Sequence, residues 1–316
     1  MKHLLVGLLA LSLLAGCTAA PTLTPPVSTP TPLAATATSR SSTATTANAP
    51  TASATSLPTA APTAALTATP TAAPVVMNLD PADWKNWPVQ PVVPDHVREI
   101  YQLGQSLGND PQAFSILGDC QSLPETFLGV YETDPTRVSQ LPLELQEVVE
   151  QFAGSFDRTA PTIKMGTTAG AILWEDWHEN QYGCKANETP LDCELRIHKP
   201  AFVIINLGTH WETRNAMYLR KILDQLIAGG VVPILATKAD NREGDDRLNQ
   251  EMAQLAVEYD LPLWNFWAAV GDLPNRGLGY QKGNEHIGEV YLSAEGLERH
   301  RLTALEALNA VWRAVR

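Results

Sequence analysis

The chain has no aspartate or glutamate before position 80, and up to that point only Lys2 and Arg40 carry a charged side chain. The 22 basic residues less these two leave 20 against 34 acidic ones in residues 80–316, a net of −14; the first 79 add +2, giving −12 for the 316 residues. So acidic a region has no means of neutralising a phosphate backbone, which excludes sequence-independent binding to nucleic acid. No Walker or dinucleotide glycine pattern occurs, so no nucleotide or other cofactor is expected. Aromatic residues are missing from 18–77, which consist almost wholly of Thr, Ala, Pro and Ser, with ten prolines and one charge. That segment has too little apolar surface to offset its ordering entropy, and its prolines favour extended conformations, so a disordered stalk is predicted. Nor is there a long apolar run at the start: Leu4 to Leu14 is too short for a permanent membrane span.

What the N-terminus does have is an address. Met1-Lys2-His3 followed by Leu4–Leu14 has the charged start and short apolar core of a secretory signal. The segment ends in Leu14-Ala15-Gly16-Cys17, which resembles the lipobox of bacterial lipoproteins. The resemblance implies cleavage before Cys17, lipidation of Cys17, and attachment to the lipid bilayer on the extracytoplasmic side of a bacterial envelope. Several acyl chains hold far more firmly than one. The organisation expected is therefore a leader over 1–17, a stalk over 18–77 and a folded domain over 78–316, monomeric. Asn187-Glu188-Thr189 matches a glycosylation acceptor, to which a bacterial lipobox gives little weight.

Within the folded part, short apolar runs alternate with amphipathic stretches. Strands are predicted at 114–117, 162–165, 202–207, 231–236 and 263–266, each bounded by Gly, Pro or Asp. Helices are predicted from Leu143 to Phe152, Ala216 to Ala228 before Gly229-Gly230, Asp246 to Tyr259, and Ala294 to Val315. The alternation gives an α/β fold, a mostly parallel sheet between helices in a three-layer α/β/α sandwich. Functional groups in such sheets gather beyond the carboxyl ends of the strands. Gly118-Asp119-Cys120-Gln121-Ser122 follows the first strand, and Gly208-Thr209-His210-Trp211 follows the third.

These segments, in their order, resemble the SGNH/GDSL hydrolase superfamily of lipases and esterases, over about residues 110–316. The family's Gly-Asp-Ser block matches Gly118-Asp119-Cys120 except at the nucleophile. Gly166-Thr167-Thr168-Ala169-Gly170 stands where its second block supplies a glycine, and Gly208-Thr209-His210-Trp211 keeps only the glycine of Gly-x-Asn-Asp. Gly288-Glu289-Val290-Tyr291-Leu292-Ser293 looks like the Asp-x-x-His block with Gly for Asp and Tyr for His. The resemblance implies ester hydrolysis, with Gly170, Gly208, Tyr291 and Trp211 around an oxyanion or substrate. Each departure removes a distinct function. A thiolate at Cys120 would be a strong nucleophile, but tyrosine, with a pKa of ~10, makes a poor general base. His210 or His286 is the candidate base for Cys120, with Glu285 or Glu289 to orient His286; the competing reading of each histidine is packing or solvated loop. Asp119, beside the nucleophile position, is a further candidate catalytic residue, against the competing and preferred reading of an acceptor that stabilises the loop.

Three cysteines remain if Cys17 is lipidated. Cys184 and Cys193, nine apart, are the simplest disulfide in an oxidising envelope, leaving Cys120 as either a free nucleophile or a buried inert thiol. Trp174 and Trp177 near Trp211 suggest a platform for a sugar face, against the general expectation that tryptophans are core. The acidic cluster Asp240 to Asp246 lacks the ligand spacing of a calcium loop, so no metal is expected, and the cluster reads as a solvated turn running into a helix cap. Two functions follow: an envelope-anchored esterase acting on glycan or small acyl esters, or an inactive derivative of the same fold that binds a glycan or peptide. A transporter's solute-binding lipoprotein is a third class, which normally needs two lobes and a longer chain.

Overall fold

The computed structural model describes residues 79–283, 285 and 288–316. The leader, Cys17, the stalk and His286 lie outside the described residues.

Four parallel strands form the sheet in the order β1 (Asp110–Gly118), β2 (Pro200–Asn206), β3 (Val232–Ala236) and β4 (Leu263–Trp264). A parallel bridge from Gly118 to Ile163 adds a fifth position outside β1. The predicted 162–165 strand is thus reduced to one bridge, because Thr162 turns its hydroxyl back onto the Ile116 carbonyl at 2.7 Å. In chain order the five positions read 2-1-3-4-5, the doubly wound arrangement whose crevice opens between β1 and β2, where the chain reverses its direction of winding. Every residue of β2 and β3 is buried. Continuous apolar runs such as Phe202-Val203-Ile204-Ile205 are what a strand covered on both faces requires.

Helices α1 (Val97–Leu107), α4 (Leu143–Gln151) and α10 (Ala294–Val315) cover one face; α6 (Pro190–His198), α7 (Asn215–Ala228) and α8 (Arg247–Glu258) cover the other. Short helices α2 (Val130–Thr133), α3 (Pro135–Ser139), α5 (Ala169–Ile172) and α9 (Phe266–Ala269) fill the connections. The predicted three-layer α/β/α sandwich is the observed one, and all four predicted helices are present within two residues of their expected limits. Close packing fixes α1 on the sheet: a Cβ on Gly104 would strike the Gly230 carbonyl, so only glycine lets the helix approach the turn before β3.

Two devices order the connections. Thr189 and Asp192 form a reciprocal capping box at the start of α6. Cys184 and Cys193 are joined in a disulfide that ties the preceding loop to that helix. Beyond β4, β5 (Leu278–Gly279) and β6 (Tyr291–Leu292) pair antiparallel. Ser293 then caps α10 through the Gly296 amide at 3.1 Å.

Candidate functional site

The site is built at the carboxyl ends of β1, β2 and β3. Directly after β1, Asp119 is buried, and one carboxylate oxygen accepts from the Gln121 amide at 3.1 Å, holding a single turn over Cys120–Ser122. Its other oxygen is buried with no hydrogen-bond partner among the described residues. Burial pushes its pKa up to about 6; the peptide groups of Gln121, His210 and Thr209 temper that rise, and the charge of Asp240 adds to it. Asp119 therefore sits across the crevice between β1 and β2 as the acceptor of its loop.

Cys120 is the free cysteine beside it, half-buried. Burial, and then the negative charge of Asp119, pushes its thiol up to about 12, with Asp240 acting in the same direction. No histidine among the described residues hydrogen-bonds the sulfur. What shares its cavity is Tyr291. The Gln121 side chain donates to the Val290 carbonyl at 2.8 Å, which pins the start of β6 against the first loop. Cys120, Tyr291, Met165, Tyr280 and Leu297 thereby line one cavity of ≈ 370 Å³. Burial, reinforced by Cys120, holds the Tyr291 phenol above its ordinary value, so it is protonated at neutral pH.

His210 and Trp211 line a neighbouring cavity of ≈ 350 Å³ with Gly166, Thr168, Thr209 and Arg242. Burial lowers the His210 pKa, and the Arg242 charge lowers it further. It is a neutral imidazole facing a different cavity from the thiol, so a Cys120–His210 pair is not assembled. The Arg247 guanidinium covers the Trp211 ring at 4.3 Å.

The segment after β3 departs most from expectation. Asp240 and Glu243 are not a solvated turn: their side chains are sealed from solvent and clasp buried Lys238, whose Nζ lies 2.7 Å from Asp240 and 2.6 Å from Glu243. Thr209 donates to Asp240 at 2.8 Å, joining the ends of β2 and β3. Gly208, at φ +135°, has Lys238 Cδ 3.0 Å from where a Cβ would lie, so a glycine is required for the lysine to pass beneath it. Asp246 precedes α8 in the left-handed region, caps nothing, and pairs instead with Lys85. The signal was available: Lys238 follows a strand end, the position where polar groups gather.

Two other expected roles change. The Gly170 amide donates to the Glu212 carboxylate at 2.6 Å, so it is occupied and does not serve as an oxyanion donor. Trp174 is more than half exposed and lies 6.3 Å from Trp177, tilted rather than coplanar. Trp177 is held by Thr167 and covered by Lys164, while Trp84, Trp87, Trp264 and Trp312 are core.

A third constellation was not expected. Ser122, Asn206 and His300 form a buried chain: Asn206 Nδ2 donates to Ser122 at 2.9 Å and lies 3.1 Å from His300 Nε2. With Asn206 as donor, the imidazole proton belongs on Nδ1, which is buried without a partner among the described residues. Phe127, Phe266 and Trp264 enclose the ring at 4.2, 4.5 and 5.2 Å. Burial pushes His300 down to about 3. The residue types suit acyl transfer, yet His300 and Ser122 have no solvent exposure, so no substrate reaches them. His300 lies on the buried stripe of α10 with Gly296, Thr303 and Ala304, a helical spacing that marks it as core.

No protein-family profile and no curated protein matches the chain. Two solved structures are similar in outline. One is a candidate acylhydrolase of Bacteroides fragilis, with 14% identity over 69% of this chain and 98% of that one and a TM-score of 0.42. The other is a GDSL-like lipase of Bacteroides thetaiotaomicron, with 14% identity over 68% and 98% and a TM-score of 0.38. Likenesses so distant say nothing of the chemistry here, and the architecture rests on this chain's own strand order. The domain is an α/β/α scaffold on a parallel sheet, and it brings the two segments that resemble the first and last blocks of the SGNH/GDSL superfamily around one cavity, with Cys120 and Tyr291 at the resembling nucleophile and base positions.

Proposed function

We propose that the domain is a binding module built on a hydrolase scaffold, which holds a glycan or acyl-ester group at the carboxyl edge of its sheet. In this reading lipid on Cys17 fixes the chain to the envelope surface and residues 18–77 are its tether. The observation that carries it is the state of Cys120. A thiol must ionise to attack an ester, and this one is pushed up to about 12 by burial and by Asp119. Proton removal needs a base within hydrogen-bond reach. Tyr280, Lys282 and Tyr291 share the cavity; Tyr291 is itself held protonated, and no histidine among the described residues hydrogen-bonds the sulfur. The cavity walls, with two tyrosines, a methionine and three leucines, suit contact with an apolar face more than bond cleavage.

Short-chain aryl esters offered to the full chain and to Cys120→Ala test the reading, together with iodoacetamide labelling of Cys120 against pH. The expected result is no thiol-dependent turnover and labelling that accelerates only in strongly alkaline solution. Turnover that disappears in Cys120→Ala, with fast labelling at neutral pH, would replace it with a thiol esterase.

A further inference from the structure

We infer that Arg242 and Arg276 form an oxyanion subsite at the carboxyl edge of the sheet, which takes a carboxylate or phosphate group carried by the ligand. This extends the binding reading without requiring that Cys120 be inactive, since an anion seated there would serve a bound ligand and a substrate equally.

Most arginines of this acidic domain are neutralised, Arg301 by Glu298 and Arg313 by Glu147 among them. Neither Arg242 nor Arg276 forms an ion pair among the described residues, and both line the same cavity of ≈ 430 Å³, together with Asn241 and Asn275. Two guanidinium forks and the Asn241 side-chain amide on one space are a donor set that suits a planar or tetrahedral oxyanion, whereas the Asn275 amide is taken by the Leu278 carbonyl at 3.2 Å and by Glu289. One acidic side chain, Glu289, also lines the cavity; it is exposed and accepts from Asn275 at 3.0 Å, on the Arg276 side.

Arg276 is held in place by contacts that leave donors free, and Arg242 is only lightly tethered. Arg276 lies over the Trp267 ring at 3.3 Å from its centroid and donates from Nη1 to the Trp267 carbonyl at 2.9 Å, leaving its Nε and Nη2 unused among the described residues. Asn275 and Arg276 both adopt left-handed backbone, φ +47° and +52°, a conformation that non-glycine residues rarely take and that the surrounding fold must impose. Arg242 has only a long contact from Nη1 to the Thr209 carbonyl, 3.4 Å. It is exposed, and it also lines the cavity of His210 and Trp211. An anion on Arg242 therefore stands at the junction of two cavities, where the rest of a ligand extends past the neutral His210 and the Trp211 ring.

Isothermal titration of the full chain with D-glucuronate, inorganic phosphate and neutral glucose tests the subsite at low salt. Saturable binding of glucuronate, of phosphate or of both is expected, with none for glucose. Glucuronate alone identifies a sugar carboxylate as the ligand group and phosphate alone a phosphoryl group. Arg242→Gln and Arg276→Gln should each weaken binding roughly tenfold or more, and Arg242→Lys should keep part of it as a charge without the fork. Asn241→Asp, which preserves the acceptor for the Asp246 amide (2.9 Å) while placing a negative charge on the wall, should weaken binding as well. Thermal melts identify any variant that fails to fold, in which case the remaining variants decide. Absence of anion binding to the wild type, or binding unchanged in both glutamine variants, overturns the subsite; ester turnover at Cys120 would overturn the binding reading and leave the subsite standing.

Discussion

Two clusters of hydrolase-like residue types stand a few residues apart in sequence and behave oppositely. Ser122, Asn206 and His300 are hydrogen-bonded into a chain but closed off by aromatic rings. Cys120, Tyr291 and His210 reach cavities at the sheet edge but are not joined to one another. Assembly and access are thus separated: the assembled cluster has no access and the accessible one is not assembled. Residue type alone does not locate chemistry. Burial decides which side chains serve the core and which meet a ligand, and a cluster must satisfy both conditions before it can turn over substrate.

The largest effect is expected where the two regions meet, beneath the rim. Replacing Lys238 by methionine would leave the carboxylates of Asp240 and Glu243 buried without their counter-charge. Breaking a buried pair in this way costs about 3–5 kcal/mol, measured as a lowered urea midpoint. Adding Asp240→Asn and Glu243→Gln to the same variant should recover much of that loss, because the penalty comes from uncompensated charge rather than from the missing lysine. If Lys238→Met is as stable as wild type, the cluster is not the anchor of the rim.

The next effect sets the clusters against each other by pH. Asp119 has its folded pKa raised from 3.8 to about 6, so the folded state binds the extra proton and this residue's contribution to stability is lost as pH rises from about 4 to about 6. His300 has its folded pKa lowered from 6.5 to about 3, so its contribution is present above 6.5 and is lost as pH falls toward 3. The two slopes oppose each other between about pH 4 and 6. Asp119→Asn should unmask a stability that rises with pH across that window, the His300 contribution then standing alone, by about 2–3 kcal/mol over the two pH units. His300→Leu should unmask one that falls, and should also lower overall stability by about 1–3 kcal/mol because Asn206 loses its partner. Urea denaturation of the three proteins at several pH values gives all these slopes, and unchanged slopes in both variants would mean that neither group is coupled to folding.

This contrast also explains what could be seen in the sequence. The central strands and helices α4, α7, α8 and α10 were legible because continuous apolar runs and 3.6-residue periodicity report burial directly, as in Phe202–Leu207 and Ala294–Val315, whereas α1 and α6, of comparable length, were not read. The strand at 162–165 was over-read, since an apolar pattern does not reveal that the Thr162 hydroxyl would take the backbone acceptor at Ile116. At the site, Cys120 and Tyr291 were found through block order. Asp240 and Glu243 were misjudged because charged residues in a Gly- and Asn-containing stretch look solvated, and only the fold shows that Lys238, which was not singled out, runs beneath Gly208 to meet them. His300 was overlooked because a search beyond strand ends does not look within a helix. Arg276 carried no signal: its value lies in Trp267 and in a backbone conformation that residue type does not announce.

The smallest effect is expected at Cys120 itself, and its smallness is informative. The side chain is half-buried, pairs with no other cysteine among the described residues and faces a cavity rather than packed core. Cys120→Ala removes one polarizable atom from a wall that has space beside it, so stability should change by less than about 1 kcal/mol, well below the cost at Lys238. Truncation leaves the burial of the Asp119 carboxyl, the main cause of its raised pKa, in place. The stability slope between about pH 4 and 6 should therefore persist in Cys120→Ala. A large destabilisation, or a slope lost together with the thiol, would mean that Cys120 belongs with the buried cluster as a structural residue, and the separation of an open rim from a closed core would have to be redrawn one residue further along the chain.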